Sequence, residues 1–454
     1  MNDGPGTRDG AFVVGTPTGR GRERNAMNHP LAYTRREFIH HGMAMMSTVA
    51  TVPAFVQRSA CAAAPVADAA PVRDRPGVPE DRILVVIQLS GGNDGLNTVV
   101  PYEDDIYYRV RPTLALPASE VLPLSKGSGL ALHPRMSAMR ELFDEGLMTI
   151  VQGVGYPNPN RSHFVSMDIW HAGDTRGNRG VGWLGKALDD VAPKARNAFI
   201  SVGHDAPLVG HGTQTTPVSF DRPEIFRWIG SDLYDALEDP YQRISREQFG
   251  GVAAKDDDQA AFVRRTALDA QVASEQVRLA VERGPATKFP NGELSEQLST
   301  VAAMIRSGLP TRVYYVGLGR FDNHAGQAGV HGGQLEQFSV AVRAFQQALK
   351  ATGDDRRVLT VAFSEFGRRV AENASRGTDH GAAGPMFLFG PMVRPGVVGA
   401  SPALADVDER GDLKYGVDFR SVYAAVLGGW MKADSSRVLG QRFRPATVLN
   451  ERVG

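Results

Sequence analysis

The sequence predicts an α/β protein: a mostly parallel central sheet with helices on both faces. Three features carry that expectation. Short runs are apolar throughout, amphipathic stretches lie between some of them, and glycine-flanked polar residues border the runs. The first run is Ile83-Leu84-Val85-Val86-Ile87-Gln88-Leu89, ending in Ser90-Gly91-Gly92. A run apolar at both odd and even positions suits a central parallel strand buried on both faces. Similar runs lie at Met148 to Val154, Val313 to Val316, Val358 to Phe363 and Met386 to Phe389. A helix is predicted from Arg135 to Phe143. A second shows Leu335, Phe338, Val342, Phe345 and Leu349 at steps of three and four, and stops near Gly353. Strands alternating with helices argue for a sheet covered on both sides. Residues 221–308 are more charged, helix-prone and poor in strand signals, and read as a helical insert or cap within one domain spanning 81–454.

Ahead of that domain lies a predicted leader, residues 1–64, with a translation start of normal proportions at Met27. Thr34-Arg35-Arg36-Glu37-Phe38-Ile39 precedes an uncharged, largely apolar stretch from Gly42 to Phe55, and then small residues at Ala60, Ala62, Ala63 and Ala64. A basic segment, a short apolar segment and an A-x-A-like end make a secretory signal, and the paired arginines resemble the twin-arginine type. The apolar stretch is short for a bilayer span, which needs about 20 residues. The leader therefore predicts export by the twin-arginine translocase to the periplasm or beyond, with no stable membrane span after cleavage. Residues 65–80, rich in Ala, Pro, Asp and Arg, read as a linker. Cys61 is the sole cysteine, and Arg58 spoils a lipoprotein pattern before it. After cleavage the chain would hold no disulfide and no thiolate ligand. Lys plus Arg and Asp plus Glu balance at 50 each, which gives no global footprint for nucleic acid.

In an open parallel sheet, ligands bind beyond the carboxyl ends of the strands. The polar residues cluster where that rule applies. Gly91-Gly92-Asn93-Asp94-Gly95-Leu96-Asn97 follows the first run, and Phe321-Asp322-Asn323-His324 follows the Val313 run. Ser364-Glu365-Phe366-Gly367-Arg368-Arg369 follows the Val358 run, and Gly377-Thr378-Asp379-His380-Gly381 precedes the Met386 run. Asp94, Asp322, His324, Glu365, Asp379 and His380 are thus candidate metal ligands. Mixed carboxylate and imidazole suit zinc, manganese or iron, and added carboxylate oxygens admit calcium or magnesium. Each also has a plainer role: Asp94 as a helix cap, Asp322 and His324 as loop residues, Glu365 as a partner of Arg368 or Arg369. Their expected place on one rim of one sheet favours a shared site.

These segments, with Asn160-Arg161-Ser162-His163-Phe164, resemble a bacterial family catalogued as domain of unknown function 1501, itself similar to the alkaline phosphatase and sulfatase superfamily. The resemblance implies an alkaline-phosphatase-like fold and a metal-dependent hydrolase of phosphate or sulfate esters. A small-molecule or glycan ester would be the substrate. It implies Asp94 as the acidic ligand after the first strand and Ser162 as the nucleophile, with a metal-bound water as the alternative. It implies Asp322, His324 and His380 as one metal site. Arg161 and Arg368 would stabilise charge on the ester oxygens. One position departs from the superfamily: Phe366 stands where a ligating histidine is expected, and it cannot bind a metal. Asp94 and Glu365 would then make a weak, all-oxygen second site beside one tight site, for zinc or manganese. Ser162 is not followed by the x-Pro-x-Arg pattern of formylglycine sulfatases, which excludes that mechanism. His163 is a weaker candidate base, since neighbours on a helix do not face each other. His331, before Gly332 and Gly333, reads as a surface-loop residue. The competing expectation is a non-catalytic exported protein that keeps the fold and binds a metal or an anionic glycan.

Overall fold

The computed structural model describes residues 82–450 apart from 177–179, 194, 196, 204–205, 222–273 and 275. The leader 1–64 and linker 65–80 lie outside the described residues, as does most of the segment expected to form an insert.

Twelve strands are present among the described residues: β1 (Ile83–Leu89), β2 (Val99–Val100), β3 (Leu122–Pro123), β4 (Ala131–Leu132), β5 (Met148–Gly155), β6 (Phe199–Val202), β7 (Val218–Phe220), β8 (Val313–Leu318), β9 (Val358–Phe363), β10 (Gly384–Phe389), β11 (Gly396–Val398) and β12 (Val417–Asp418). Nine form one sheet in the order β11-β5-β10-β9-β1-β8-β6-β7, with β12 also on β5. β1 sits between β8 and β9, parallel to both, with Val86 opposite Tyr315 and Val361. Only β10 breaks the pattern, running antiparallel to β5 and to β9. The remaining three strands make a small sheet, β2-β4-β3.

The unbroken apolar run of β1 is explained by the two layers it serves. Alternate residues point to opposite faces. Val85 and Ile87 join a core with Leu298, Val301, Phe338 and Phe345, from the helices Glu293–Arg306 and Gln327–Thr352. Leu84 and Val86 join the opposite core with Trp170, Leu184, Tyr423 and Trp430, from the helices His163–Ala172, Trp183–Val191, Phe419–Ala424 and the helical turns that follow. The helix expected to stop near Gly353 does so: Gly353 takes φ 75° and caps its C-terminus.

The described end of the segment 221–308 packs inward. Its helix Glu293–Arg306 buries Leu294, Leu298, Val301 and Ile305 in the main core. His331 is not in a surface loop; it lies in the long helix Gln327–Thr352, 2% exposed. No described helix is long and apolar enough to cross a membrane.

The direction of β10 positions the site. β1, β8 and β9 are mutually parallel, and β5 runs the same way because two antiparallel steps separate it from β9. Residues following β1, β5, β8 and β9 therefore gather at one rim. Because β10 is reversed, the residues preceding it meet them there.

Candidate metal centre

Five segments reach that rim. Asp322 and His324 follow β8, Glu365 to Arg368 follow β9, Asp379 and His380 precede β10, Arg161 to His163 follow β5, and Gly91 to Asp94 follow β1. Backbone packing there is close enough to need glycine. Gly92 adopts φ +75°, and a Cβ on it would overlap the Phe366 ring; a Cβ on Gly377 would overlap the His324 carbonyl.

Asp322 is the hub. Its Oδ1 lies 3.0 Å from His324 Nε2 and 3.1 Å from His380 Nε2, and these two nitrogens are 3.0 Å apart. Its Oδ2 lies 3.4 Å from His163 Nε2. One ligand atom from each of His163, Asp322 and His380 can be chosen so that all lie within 4.8 Å of one another. Arg368 Nη2 donates to Asp322 Oδ1 at 2.6 Å. Burial pushes the Asp322 carboxyl up, but the hydrogen bond and charge of Arg368 outweigh it and pull it down to about 2. The group is ionised at any ordinary pH.

The far side of each imidazole faces an acceptor. His163 Nδ1 lies 2.8 Å from Glu365 Oε1, His324 Nδ1 lies 3.1 Å from Asp379 Oδ1, and His380 Nδ1 lies 2.7 Å from the Arg161 carbonyl. In the neutral tautomer whose proton sits on Nδ1, facing that acceptor, Nε2 carries the lone pair. Three Nε2 lone pairs and a carboxylate then converge with too few protons among them. His163 Nε2 is buried and makes no hydrogen bond. One proton can bridge a single edge of the Asp322–His324–His380 triangle, whereas a divalent cation accepts every lone pair at once. Separations near 3 Å among Asp322, His324 and His380 also suit a common ion, since ligands about 2.0–2.1 Å from zinc in a tetrahedron stand roughly 3.3 Å apart. Imidazoles that donate their other N–H to a carboxylate or carbonyl are the usual outer arrangement of metal-binding histidines. The donor set therefore fits a divalent ion.

Several candidate residues take other places. Asp94 is 2% exposed, and its Oδ2 accepts from Arg111 Nη1 at 2.6 Å and from Gln327 Nε2 at 2.5 Å. Arg111 is itself fully buried and also donates to the carbonyls of Val370 and Arg369. A guanidinium thus stands beside Asp94 Oδ2, and Oδ1 is buried without a hydrogen bond. Burial opposes ionisation of Asp94, but the charge and hydrogen bond of Arg111 hold its carboxyl below the ordinary range. Glu365 is 1% exposed and stands behind His163, accepting also from the Gly91 N–H at 2.9 Å and the Ser364 hydroxyl at 3.2 Å. Asp379 likewise stands behind His324 and accepts from Asn373 Nδ2 at 3.1 Å. Both carboxylates face the outer nitrogen of an imidazole.

The two arginines expected to bind ester oxygens are already engaged. Arg368 is 2% exposed and donates to the carbonyls of Gly91, Gly92, Phe321 and Thr378 as well as to Asp322. Arg161 is paired with Asp408 and Asp412. Ser162 caps the helix His163–Ala172, is exposed, and makes no side-chain capping bond. Phe366 is buried against the cluster, its ring 4.8 Å from that of His163 and 4.9 Å from that of His380.

His163 is the residue that sequence reasoning undervalued. Its partners Glu365 and Asp322 follow other strands, and its chain neighbour Ser162 gives no sign of them. Its hydrogen bond to Glu365 raises its pKa against the opposing effect of burial, aided by the charges of Glu365 and Asp322.

Fold and rim together define an open α/β sheet protein with a histidine–carboxylate cluster at the carboxyl ends of its strands. The chain belongs to the family described as protein of unknown function (DUF1501), which matches residues 146–442. No curated protein matches it. Among solved structures it is similar to the PsFucS1 sulfatase from Pseudoalteromonas sp. (11% identity, 79% of this chain and 68% of that one, TM-score 0.33). It is similar also to the zinc complex of the C-terminal periplasmic domain of EcEptC from Escherichia coli (9%, 79% and 86%, TM-score 0.33). A third is the phosphonate monoester hydrolase SpPMH from Silicibacter pomeroyi (10%, 80% and 78%, TM-score 0.31). Likeness at this level carries no chemistry to the present chain.

Proposed function

We propose that this protein is an exported metal-dependent hydrolase of phosphate or sulfate esters. The observation that carries the reading is the convergence of three imidazole Nε2 atoms on Asp322, each ring with its Nδ1 facing an acceptor. Asp322, His324, His380 and His163 would hold one divalent ion, zinc or manganese by donor type. When bound, such an ion supplies Lewis-acid polarisation of an ester oxygen and acidifies a neighbouring hydroxyl or water.

The chain's own residues do the rest. Ser162 presents an exposed hydroxyl beside His163, at a helix start whose N–H groups favour an anion. It is the proposed nucleophile, with water as the alternative. Glu365, Asp379 and the Arg161 carbonyl keep the three rings turned inward. Arg368 joins four loop carbonyls to Asp322 and so fixes the carboxylate. Phe366 excludes water from one side of the rings. Export through the twin-arginine route, signalled by Arg35 and Arg36, would deliver the folded chain; Arg35→Lys with Arg36→Lys should leave precursor in the cytoplasm.

The engagement of Arg161 and Arg368 favours a second reading, a metal-binding protein without turnover, because neither guanidinium is free to meet an ester. Assays of p-nitrophenyl phosphate and p-nitrophenyl sulfate, with the protein metal-loaded and then chelator-treated, separate the two. Hydrolysis lost on chelation and in Ser162→Ala supports the hydrolase with a serine nucleophile. Metal retention without hydrolysis of either ester supports the second reading.

A further inference from the structure

The His380 ring offers Nε2 to Asp322 only while Nδ1 keeps its proton, and the acceptor for that proton is a main-chain carbonyl, that of Arg161. A carbonyl in a connection between strand and helix has no ladder to fix it, so something else must. The Arg161 side chain supplies the anchor. Its Nε donates to Asp412 Oδ2 at 2.6 Å, and its Nη2 reaches Asp412 Oδ2 and, at 3.1 Å, Asp408 Oδ2. Asp408 and Asp412 close a small hairpin bridged by Val407 and Leu413. Within it, Asp408 Oδ1 accepts the N–H groups of Arg410 and Asp412, each at 2.9 Å, and the Asp408 N–H donates to the Asp412 carbonyl at 2.9 Å. The Asp412 side chain is wholly buried, while Asp408 keeps 31% of its side chain exposed. Just before Arg161, the Asn160 N–H donates to the Tyr156 hydroxyl at 2.9 Å, and Asn160 Oδ1 accepts the Ser162 N–H at 2.8 Å. The peptide that faces His380 is thus gripped from both sides.

We propose that Arg161 is a positioning residue for the metal centre. The Asp408–Asp412 hairpin holds its guanidinium, and this fixes the carbonyl that keeps His380 Nε2 turned toward Asp322. The proposal rests on the metal-centre reading above. A purely structural ion pair would steady the hairpin without touching the metal; a positioning pair alters the ligand field.

The test is titration of the purified full chain with cobalt(II), following visible absorption and dissociation constant. Asp412→Asn should weaken cobalt binding by up to about 10-fold, the low end for an outer partner because Asp412 acts one contact further out, and should shift the absorption bands. Arg161→Lys keeps the charge but cannot span both carboxylates, and should fall between. Glu145→Gln, which loosens the unrelated surface pair with Arg343, should leave both readouts unchanged. If Asp412→Asn does not fold, Asp408→Asn at the half-exposed partner reports the same clamp. Cobalt bound by the unaltered protein, but with the same affinity and spectrum in every clamp variant, would overturn the positioning role. Failure of the unaltered protein to bind cobalt or zinc would instead overturn the metal-centre reading beneath it.

Discussion

Asp94 and Asp322 follow neighbouring parallel strands, β1 and β8, and reach the same rim, yet their surroundings differ in kind. Asp94 is sealed from solvent, and Arg111 and Gln327 both aim N–H groups at its Oδ2, while its Oδ1 is buried without a hydrogen bond. Asp322 keeps 44% of its side chain exposed and, apart from Arg368, meets three ring nitrogens whose partner nitrogens face acceptors. A carboxylate already neutralised by a fixed cation has no need of another. A carboxylate facing converging lone pairs has. Burial and a shared rim therefore do not tell the two carboxylates apart; the character of the atoms facing each does.

This contrast can be broken by experiment. Asp94→Ala should bring the largest loss of stability, about 3–5 kcal/mol, because it strands a buried guanidinium. Urea unfolding measures it, and the metal content of the folded fraction should be unchanged. Asp322→Ala should do the reverse, moving the urea midpoint little while emptying the site. Metal loss with Asp94→Ala at unchanged stability would erase the distinction. Next in size, Glu365→Gln and Asp379→Asn should each weaken zinc binding by about 10–100-fold without abolishing it, as expected for outer partners. Loss of all binding in equilibrium dialysis would return those carboxylates to the ligand set.

The two histidine groups differ in the same way. His133, His171 and His331 are buried away from the cluster. Burial lowers their pKa values to about 4, 3 and 4, assisted by Arg135 at His133 and, more weakly, by His133 and nearby arginines at His331. Their folded values lie below the unfolded one, about 6.5. The unfolded chain therefore binds more protons between about pH 6.5 and 4. Stability is complete above that window and falls through it, by up to about 1.4 kcal/mol per pH unit for each ring. Urea midpoints from pH 7 to 4 on metal-free protein should show the decline, and a flat profile would mean that these rings are not held neutral. The smallest effect belongs to Phe366→His. Its ring borders His163 and His380, so a new imidazole there should add a weak second ion. An unchanged stoichiometry would place the new side chain outside the cluster.

Much of the fold was legible in the sequence. The long apolar runs and the three-four stepping of the helix through Phe338 and Phe345 depend on period alone, and period survives without coordinates. The reversal of β10 was not legible, because hydrophobicity carries no strand direction. The short strands β6, β7, β11 and β12 hold too few residues to show alternation. In the site, Asp322, His324 and His380 stood out because glycine-flanked polar residues bordered buried runs. Asp94 stood out for the same reason, and Arg111, which neutralises it, looked like any charged loop residue. His163 was obscured because its meaning depends on Glu365 and Asp322, distant in sequence and joined only by the sheet.

The central claim is that one ion is held by three imidazoles and Asp322. Zinc X-ray absorption answers it directly, on protein loaded with one equivalent and dialysed. The claim predicts one retained zinc per chain whose scattering requires three imidazole rings and an oxygen ligand. Zinc that dialyses away, or a retained ion with two imidazoles or fewer, would contradict it.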